Sequence, residues 1–193
     1  MHYLNQLEYP HIPYPTHVST PQPKNTTVAS SGCGICTVCM MVDLLTDKAL
    51  EIEECVRISQ ENIANHKSGT DMSILAPVIS EKFGLDYKST RDKKEVISEI
   101  MRGAVVVAHV GVPEEKERGL FTLGGHYVLI VSTDGERFCI LDPSYKTNKF
   151  TGEDRFGLVD DSHAPYLYCN TDVFDGEIKP GKIGYHIFSR KTN

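Results

Sequence analysis

Ser30-Ser31-Gly32-Cys33-Gly34 leads directly into the apolar segment Ile35-Cys36-Thr37-Val38-Cys39-Met40-Met41-Val42. This apolar run predicts a buried helix over residues 34–45, with Cys33 at its N-terminus. The first backbone N–H groups of a helix have no intrahelical partner, and the helix dipole there favours negative charge. A cysteine at this position has a stabilised thiolate, which is the reactive form of the side chain. Cys33 is therefore the candidate nucleophile.

The composition is typical of a soluble globular protein with one domain, which we assign to residues 1–193. The 193 residues are 40% hydrophobic and 24% charged, and their formal net charge is −6. This acidic balance argues against nucleic acid and against an anionic membrane surface as partners. No apolar run of the sequence approaches the roughly 20 residues that cross a bilayer. The first five residues lack the features of a signal peptide, so we expect a cytoplasmic protein, although a leader already trimmed away would leave the same sequence.

The cysteines do not have the pattern of a disulfide scaffold. They are Cys33, Cys36, Cys39, Cys55, Cys139 and Cys169. Cys55 and Cys139 lie in apolar patterns, where a reduced thiol packs as a small hydrophobic side chain. We therefore expect reduced cysteines in a reducing compartment.

The cysteines of segment 33–39 also match the Cys-x2-Cys-x2-Cys spacing of an iron–sulfur site. Ligand runs of that kind lie in irregular loops, whereas the apolar continuation Met40-Met41-Val42 favours a helix. On a helix, Cys39 would point about 240° around the axis from Cys33, so the thiols would not converge on one metal. A fourth cysteine followed by proline is also missing from the sequence. We predict no metal ligands and no cofactor.

Predicted helices come first along the chain and predicted strands second. We predict an irregular segment for residues 1–31 and a helical half for residues 32–103. For residues 104–193 we predict a sheet half with an extended tail. The predicted helices cover residues 34–45, 50–64, 72–79 and 93–102, with Asp71 as the cap of the third. The predicted strands cover residues 104–110, 126–132, 138–141 and 185–188. Pro77 predicts a kink or an early end of the third helix, and Gly103 predicts the C-terminal cap of the fourth. This order indicates an α+β fold with N-terminal helices packed on a C-terminal antiparallel sheet.

A thiolate nucleophile needs a base to take its proton and a third group to orient that base. His126 is the best candidate for the base, because Gly124 and Gly125 let the backbone approach closely and His126 opens a predicted strand. Asp142 is the best candidate for the orienting group. Taken alone, each of these residues also has an ordinary structural explanation, and it is their joint arrangement that indicates a catalytic site.

The turn between two predicted strands decides whether His126 and Asp142 meet. A three-residue turn, Thr133-Asp134-Gly135, pairs Ser132 with Glu136 and places His126 directly opposite Asp142 on one face of the hairpin. A two-residue turn would move the ladder by one position and place the two side chains on opposite faces. We predict the three-residue turn.

Four segments together resemble the peptidase C39-like family, which belongs to the papain-like cysteine peptidases and includes domains that trim bacteriocin leader peptides. The segments are Thr27-Val28-Ala29-Ser30-Ser31-Gly32-Cys33-Gly34, Gly69-Thr70 with the helix that follows, Gly124-Gly125-His126-Tyr127-Val128-Leu129, and Leu141-Asp142-Pro143. The resemblance covers residues 3–145, follows the family's order of motifs and has its 16-residue spacing from His to Asp. Ile35-Cys36 stands where the family often has Pro-Thr, and the tail from Tyr145 to Thr192 has no counterpart.

The resemblance implies a papain-like cysteine proteinase fold. It implies a cysteine peptidase or amidohydrolase that cleaves a peptide or a small amide through an acyl-enzyme intermediate. Cys33 would be the nucleophile, His126 the general base and acid, and Asp142 the orienting group. An acyltransferase of the same chemistry and a catalytically silent peptide-binding module are the alternatives.

The resemblance also implies an upstream glutamine whose amide helps to bind the oxyanion, together with the backbone N–H of the nucleophile. Gln6 is the candidate for this glutamine, and Gln22 is a weaker second candidate. The substrate-binding candidates are Gly69, Thr70 and Gly125.

The remaining aromatic residues and histidines have simpler interpretations. We expect the tail residues Tyr145, Tyr166, Tyr168 and Phe174 to cover the sheet, with a lid over a substrate groove as the alternative. We expect His66 and His163 to be solvated in polar loops. His109, in the middle of a predicted strand, is expected to be a hydrogen-bonded core histidine.

Overall fold

The apolar segment after Cys33 is helical in the computed structural model, which describes residues 2–16, 26–65 and 69–191. The helices are a 3-10 turn at Gln6–Glu8, α1 at Val28–Ser31, α2 at Cys33–Leu45, α3 at Ile52–Glu61, α4 at Met72–Phe83, α5 at Lys93–Met101 and α6 at Thr171–Asp175. None of the helices within these described ranges combines the length and the apolar character that crossing a membrane requires.

Seven strands of the described residues form one antiparallel sheet. They are β1 at Leu85–Thr90, β2 at Val105–Val110, β3 at His126–Thr133, β4 at Arg137–Leu141, β5 at Val159–His163, β6 at Tyr166–Asn170 and β7 at Tyr185–Arg190. Their order across the sheet is β1-β7-β2-β3-β4-β6-β5. The prediction of an α+β fold with helices on an antiparallel sheet is therefore confirmed.

The sequence pattern misses β1, β5, β6 and α6. Strand β1 lies inside residues 32–103, the range predicted as the helical half, so this range also contributes a strand to the sheet; β1 pairs with β7 from the other end of the chain. Strands β1 and β5 form the two edges of the sheet, and most of their residues are not buried. An edge strand needs little apolar surface, so its sequence lacks the hydrophobic pattern that reveals a central strand.

Two predictions about helices need correction. The segment 1–31 contains the 3-10 turn and α1, so it is not wholly irregular. Helix α4 continues through Pro77 to Phe83, so the predicted early end is wrong. Tertiary packing outweighs the intrahelical hydrogen bond lost at proline, because the apolar face of α4 is fully buried on both sides of Pro77. The predicted cap at Gly103 is confirmed, since this residue follows α5 with a φ of 96°.

The sheet has an apolar cluster on each face. Val105 and Val107 of β2 belong to the cluster that contains most of α2, whereas Val106 and Ala108 belong to the cluster on the opposite side. Alternate residues of a strand point to opposite faces, so a strand covered on both sides is apolar throughout. Helix α2 is correspondingly buried along ten of its thirteen residues. This packing fixes Cys33 at one end of a helix that lies against the sheet.

The β3–β4 hairpin does not have the predicted register. Thr133 pairs with Phe138, so four residues lie outside the ladder, where the side chain of Asp134 accepts hydrogen bonds from the N–H groups of Glu136 and Arg137. The ladder shifts by one residue between Ile130 and Ser132. Without this shift, His126 and Asp142 would lie on opposite faces. Because of this bulge, Asp142 lies on the same face of the hairpin as His126, as predicted. It is diagonal to His126, however, and not directly opposite.

Candidate active site

The two glycines around Cys33 allow three chain segments to converge. A methyl group on Gly32 would lie 2.6 Å from the carbonyl oxygen of Val28, because α1 abuts α2 there. A methyl group on Gly34 would lie 2.7 Å from the Cβ atom of Thr70. Cys33 is the first residue of α2, as predicted, and it is partly exposed, whereas the other five cysteines are buried.

The His126 ring lies between Cys33 and Asp142. His126 is the first residue of β3, and Asp142 follows the last residue of β4. Nε2 of His126 donates a hydrogen bond to Oδ1 of Asp142 over 2.8 Å, and the two residues are 6% and 0% exposed. Since Nε2 is occupied in this way, Nδ1 is the ring nitrogen left for a partner on the other side, and the Cys33 thiol lies close enough to the ring for each group to shift the pKa of the other.

The Asp142 carboxylate is held by further donors that the sequence does not reveal. Its Oδ1 atom accepts hydrogen bonds from the backbone N–H and the hydroxyl of Ser144, at 2.8 and 3.0 Å. The Lys149 ammonium forms an ion pair with Oδ2 of Asp142 at 2.5 Å and donates to the Ser144 hydroxyl at 2.9 Å. The Lys149 side chain is only 12% exposed. Both carboxylate oxygens are therefore fixed in place behind His126.

The contacts of these residues change their acidity in opposite directions. Burial would lower the pKa of His126, but the charge and the hydrogen bond of Asp142, together with the Cys33 thiol, raise the pKa to about 9. Burial would raise the pKa of Cys33, but His126 and the N–H groups of Tyr127 and Gly34 lower it below its usual value. Burial would also raise the pKa of Asp142, yet His126 and Lys149 hold that pKa well below its usual range. These directions favour a thiolate–imidazolium ion pair.

The N-terminal segment is attached to the segment that follows β4. The Gln6 N–H donates to the carbonyl of Pro143 over 2.7 Å, and the Tyr3 hydroxyl donates to the carbonyl of Asp142 over 2.6 Å. Nε2 of Gln6 donates to the carbonyl of Ala29 over 2.9 Å, and Oε1 has no hydrogen-bond partner among the described residues. These contacts bring Gln6 to the same cleft as Cys33.

An open cleft of about 630 Å³ runs past the Cys33 thiol. Gln6, Cys33, His126 and the three substrate-binding candidates, Gly69, Thr70 and Gly125, all line it, and Asp142 lies behind His126. The Thr70 hydroxyl hydrogen-bonds to the Tyr14 hydroxyl over 2.9 Å, and the Thr70 side chain packs against Gly34. Thr70 therefore offers the cleft mainly its backbone.

Sequence analysis missed several residues that line this cleft, namely His109, His186, Lys179 and Lys182. His109 was expected in the core, but it is half-buried at the cleft and its ring stacks on Tyr127 with centroids 4.3 Å apart. His186 and the two lysines come from the tail, which the resemblance does not cover. Only the pairing of β7 with β2 shows that this part of the tail reaches the cleft.

Two of the four tail aromatics pack on other aromatic rings, and none of the four lines the cleft. Phe174 is fully buried, and its ring makes edge contacts with Phe121 and Phe138. Tyr145 stacks on Phe150, with ring centroids 6.4 Å apart. The predicted covering role agrees with the contacts of Phe174 and Tyr145, whereas Tyr166 and Tyr168 are themselves residues of β6 and Tyr166 is exposed. His163 is exposed, as expected, but it is the last residue of β5 and does not lie in a loop. Gln22 and His66 lie outside the described residues.

Cys36 and Cys39 follow Cys33 on α2, and both pack in the core. Cys36 and Cys39 are 0% and 2% exposed and belong to the apolar cluster around this helix. Burial raises the pKa of Cys36, and a hydrogen bond with Cys55 together with burial raises that of Cys39. The helical path of the segment removes the loop geometry that the iron–sulfur interpretation required.

Comparison with known proteins gives a likeness at the level of the fold. The fold is similar to that of a Bacillus anthracis crystal structure provisionally assigned as a C39-like peptidase. The two chains share 12% sequence identity, the match covers 93% of this chain and 96% of that chain, and the TM-score is 0.55. No protein-family model and no curated protein sequence matches the chain. At this level of identity the likeness shows the fold, and function has to be argued from the site.

Proposed function

We propose that this protein is a papain-like cysteine peptidase or amidohydrolase of the C39-like type, with Cys33 as nucleophile. The observation that carries the proposal is the position of the His126 ring, which joins the Cys33 thiol to the Asp142 carboxylate beside an open cleft. The fold likeness and the motifs around these residues support the same assignment.

In the first half of the proposed reaction, the Cys33 thiolate attacks the carbonyl carbon of a peptide or amide bond. A C–S bond forms, and the carbonyl oxygen becomes an oxyanion. The His126 imidazolium then gives its proton to the nitrogen of the scissile bond as that C–N bond breaks. The amine leaves, and the acyl group remains on Cys33 as a thioester.

In the second half, water replaces the amine. His126 is now neutral and takes a proton from the water molecule while the oxygen of that water attacks the thioester carbon. The C–S bond then breaks. The products are a carboxylic acid and the regenerated Cys33–His126 ion pair. Asp142 keeps Nε2 protonated throughout, so that Nδ1 is the nitrogen that exchanges protons.

The oxyanion needs donors that are already in place. We assign this role to the backbone N–H of Cys33 and to the side-chain amide of Gln6. One N–H of the Gln6 amide is held by Ala29, which fixes the amide at the cleft and leaves its second N–H for the oxyanion. A donor of this kind contributes about 100- to 1000-fold in rate. The backbones of Gly69, Thr70 and Gly125 would bind the substrate chain alongside.

The chemistry also indicates a compartment. A thiol peptidase works only while its nucleophile is reduced, and the six cysteines of this chain are all free. Reduced cysteines are the rule in the cytoplasm, where we place the activity.

The test is the pH dependence of Cys33 alkylation by iodoacetamide, with the label located by peptide mapping. An ordinary thiol of pKa about 8.5 reacts roughly 100-fold faster at pH 7.5 than at pH 5.5. An ion-paired Cys33 is expected to change its rate by less than about fivefold over the same range. Cys33→Ser should remove both this label and the hydrolysis of a mixture of quenched peptides. A steep rate profile at Cys33, parallel to that of free cysteine, would contradict the proposal.

A further inference from the structure

The cleft has a wall that the catalytic residues do not use. This wall is the loop of residues 179–183, which leads into β7 and contributes Lys179 and Lys182 to the lining. The two lysines belong to the tail, outside the segments that carry the family resemblance. The inference below rests on the proposed function and concerns the chemical class of its substrate.

Lys179 extends over the backbone just before His126. A methyl group placed on Gly125 would lie 2.6 Å from Nζ of Lys179 and 3.3 Å from Nε2 of His109. A side chain at position 125 would therefore displace the ammonium group from this place. The charge of Lys179 consequently lies beside the strand end that presents His126.

The fold holds the lysine loop in place through main-chain contacts. The Lys179 N–H donates to the carbonyl of His109 over 2.9 Å. The Arg91 guanidinium, from the turn between β1 and α5, donates to the carbonyl of Lys182 and lies 3.4 Å from the carbonyl of Lys179. These bonds fix the backbone of the loop, and none of them involves a lysine side chain.

No carboxylate in the part of the chain that the structure describes pairs with either ammonium. Among those residues Asp71 is the only acidic residue that lines the cleft, and its Oδ1 atom caps α4 by accepting from the Ser73 N–H over 3.0 Å. Asp142 is already paired with His126 and Lys149. The cleft is therefore locally cationic in a chain whose net charge is −6.

The two other histidines of the cleft add no positive charge near neutral pH. Burial, followed by the charge of Lys179, lowers the pKa of His109 to about 3. Burial lowers the pKa of His186 to about 4, against a small opposing effect of Asp71. The two lysines thus supply the positive charge of this wall.

We propose that Lys179 and Lys182 form an anion subsite, which selects substrates that carry a carboxylate next to the scissile bond. An acidic substrate would place this carboxylate beside Gly125, where it would pair with the ammonium groups of Lys179 and Lys182, for which the described residues supply no carboxylate. The shared chemistry is a carboxylate, which an acidic side chain or a terminal carboxyl group would both provide.

Two alkylating agents of similar size measure this charge without a known substrate. Iodoacetate carries a carboxylate and iodoacetamide is neutral, and both react with Cys33. The quantity to measure is the ratio of their second-order rates at Cys33, at one pH and low salt. In the double variant K179M/K182M the ratio of iodoacetate to iodoacetamide should fall about three- to tenfold, as expected for the loss of two partly exposed cations. Salt should reduce the ratio in the natural protein toward that of the variant.

Lys48→Met is the matched control, because Lys48 follows the end of α2 that is distant from Cys33. It removes one positive charge from the chain and should leave the ratio unchanged. An unchanged ratio in K179M/K182M, with iodoacetamide labelling intact, would overturn the anion subsite and leave the proposed function standing. If Cys33 lacks thiolate reactivity toward iodoacetamide in the natural protein, the proposed function fails, and the subsite fails with it.

A second measurement separates the two sources of carboxylate. Quenched peptides carrying Glu, Gln or Lys at each position near the scissile bond are compared, each with a free and an amidated C-terminus. A preference for Glu over Gln that disappears in K179M/K182M indicates an acidic side chain. A preference for the free C-terminus that disappears in the same variant indicates a terminal carboxyl group. Equal cleavage of all these peptides, or a preference that the variant retains, would overturn the proposal.

Discussion

Two sides of one cleft place their histidines in opposite electrostatic surroundings. On the β3–β4 side, His126 is bound to the ionised Asp142, and its pKa is raised to about 9. On the β2–β7 side, His109 and His186 have no carboxylate partner within residues 2–16, 26–65 and 69–191, and their pKa values are lowered to about 3 and about 4. All three side chains line the same cleft.

Burial alone does not decide which histidine can serve a thiolate. His126 and His186 are almost equally buried, at 6% and 2% exposed. The Nδ1 atom of His186 contacts the neutral Tyr87 hydroxyl at 2.9 Å, whereas His126 has a carboxylate fixed by Ser144 and Lys149. The comparison indicates that a charged, immobilised partner is what raises the pKa of His126 above that of His186.

The largest effect should come from removing the imidazole on the charged side. His126→Ala removes the group that stabilises the Cys33 thiolate, while burial of the thiol remains. We expect peptide hydrolysis to fall by about a million-fold, the rate of Cys33 alkylation at pH 6 to fall about 100-fold, and the pH profile of alkylation to become steep. His186→Gln, on the neutral side, should leave the pH dependence of alkylation unchanged. Similar profiles in both variants would break the distinction between the two sides.

A somewhat smaller effect is expected from neutralising the orienting carboxylate. Asp142→Asn keeps the shape of the site but removes the charge that raises the pKa of His126. The imidazolium should then lose its proton at a lower pH, so the alkaline limb of the activity profile should move down from about pH 9. Peptide hydrolysis is expected to fall by about 100- to 10,000-fold. An alkaline limb that stays in place would show that Asp142 does not tune His126.

The smallest of these effects concerns Lys149, and its sign is the informative part. Lys149→Met removes a cation that shares the Asp142 carboxylate, so His126 interacts with a less compensated negative charge. The alkaline limb should therefore move up, opposite to the shift in Asp142→Asn, while the rate falls about tenfold because the carboxylate is less firmly held.

Lys149→Arg retains the charge and serves as the conservative control. It should restore the position of the alkaline limb even where the rate is only partly recovered. If Lys149 only stabilises the loop after β4, the Met variant will unfold at lower temperature without any shift of the limb.

The sequence predicts the catalytic candidates better than it predicts the geometry that unites them. The helix after Cys33 and the strands around His126 and Asp142 follow from strong local patterns. The shift between Ile130 and Ser132 has no local signal, yet the position of Asp142 on the same side as His126 depends on it.

Long-range contacts explain the rest of what the sequence did not reveal. Lys149 reaches Asp142 through a turn that no hydrophobic pattern marks. Lys179 and His186 enter the cleft because β7, near the end of the chain, pairs with β2 in the middle of the sheet. Pairing across such a separation is decided by the whole sheet and leaves little trace in either segment alone.

The most direct test of the central claim is an NMR titration of the histidine ring nitrogens in the natural protein and in Cys33→Ser. The ion-pair account predicts that His126 carries both ring protons at pH 7 and loses one near pH 9, whereas His109 and His186 remain neutral down to about pH 5. In Cys33→Ser, the pKa of His126 should fall, because the thiolate no longer stabilises the imidazolium. A His126 ring that is neutral at pH 7, or one whose titration ignores the loss of the thiol, would contradict the account.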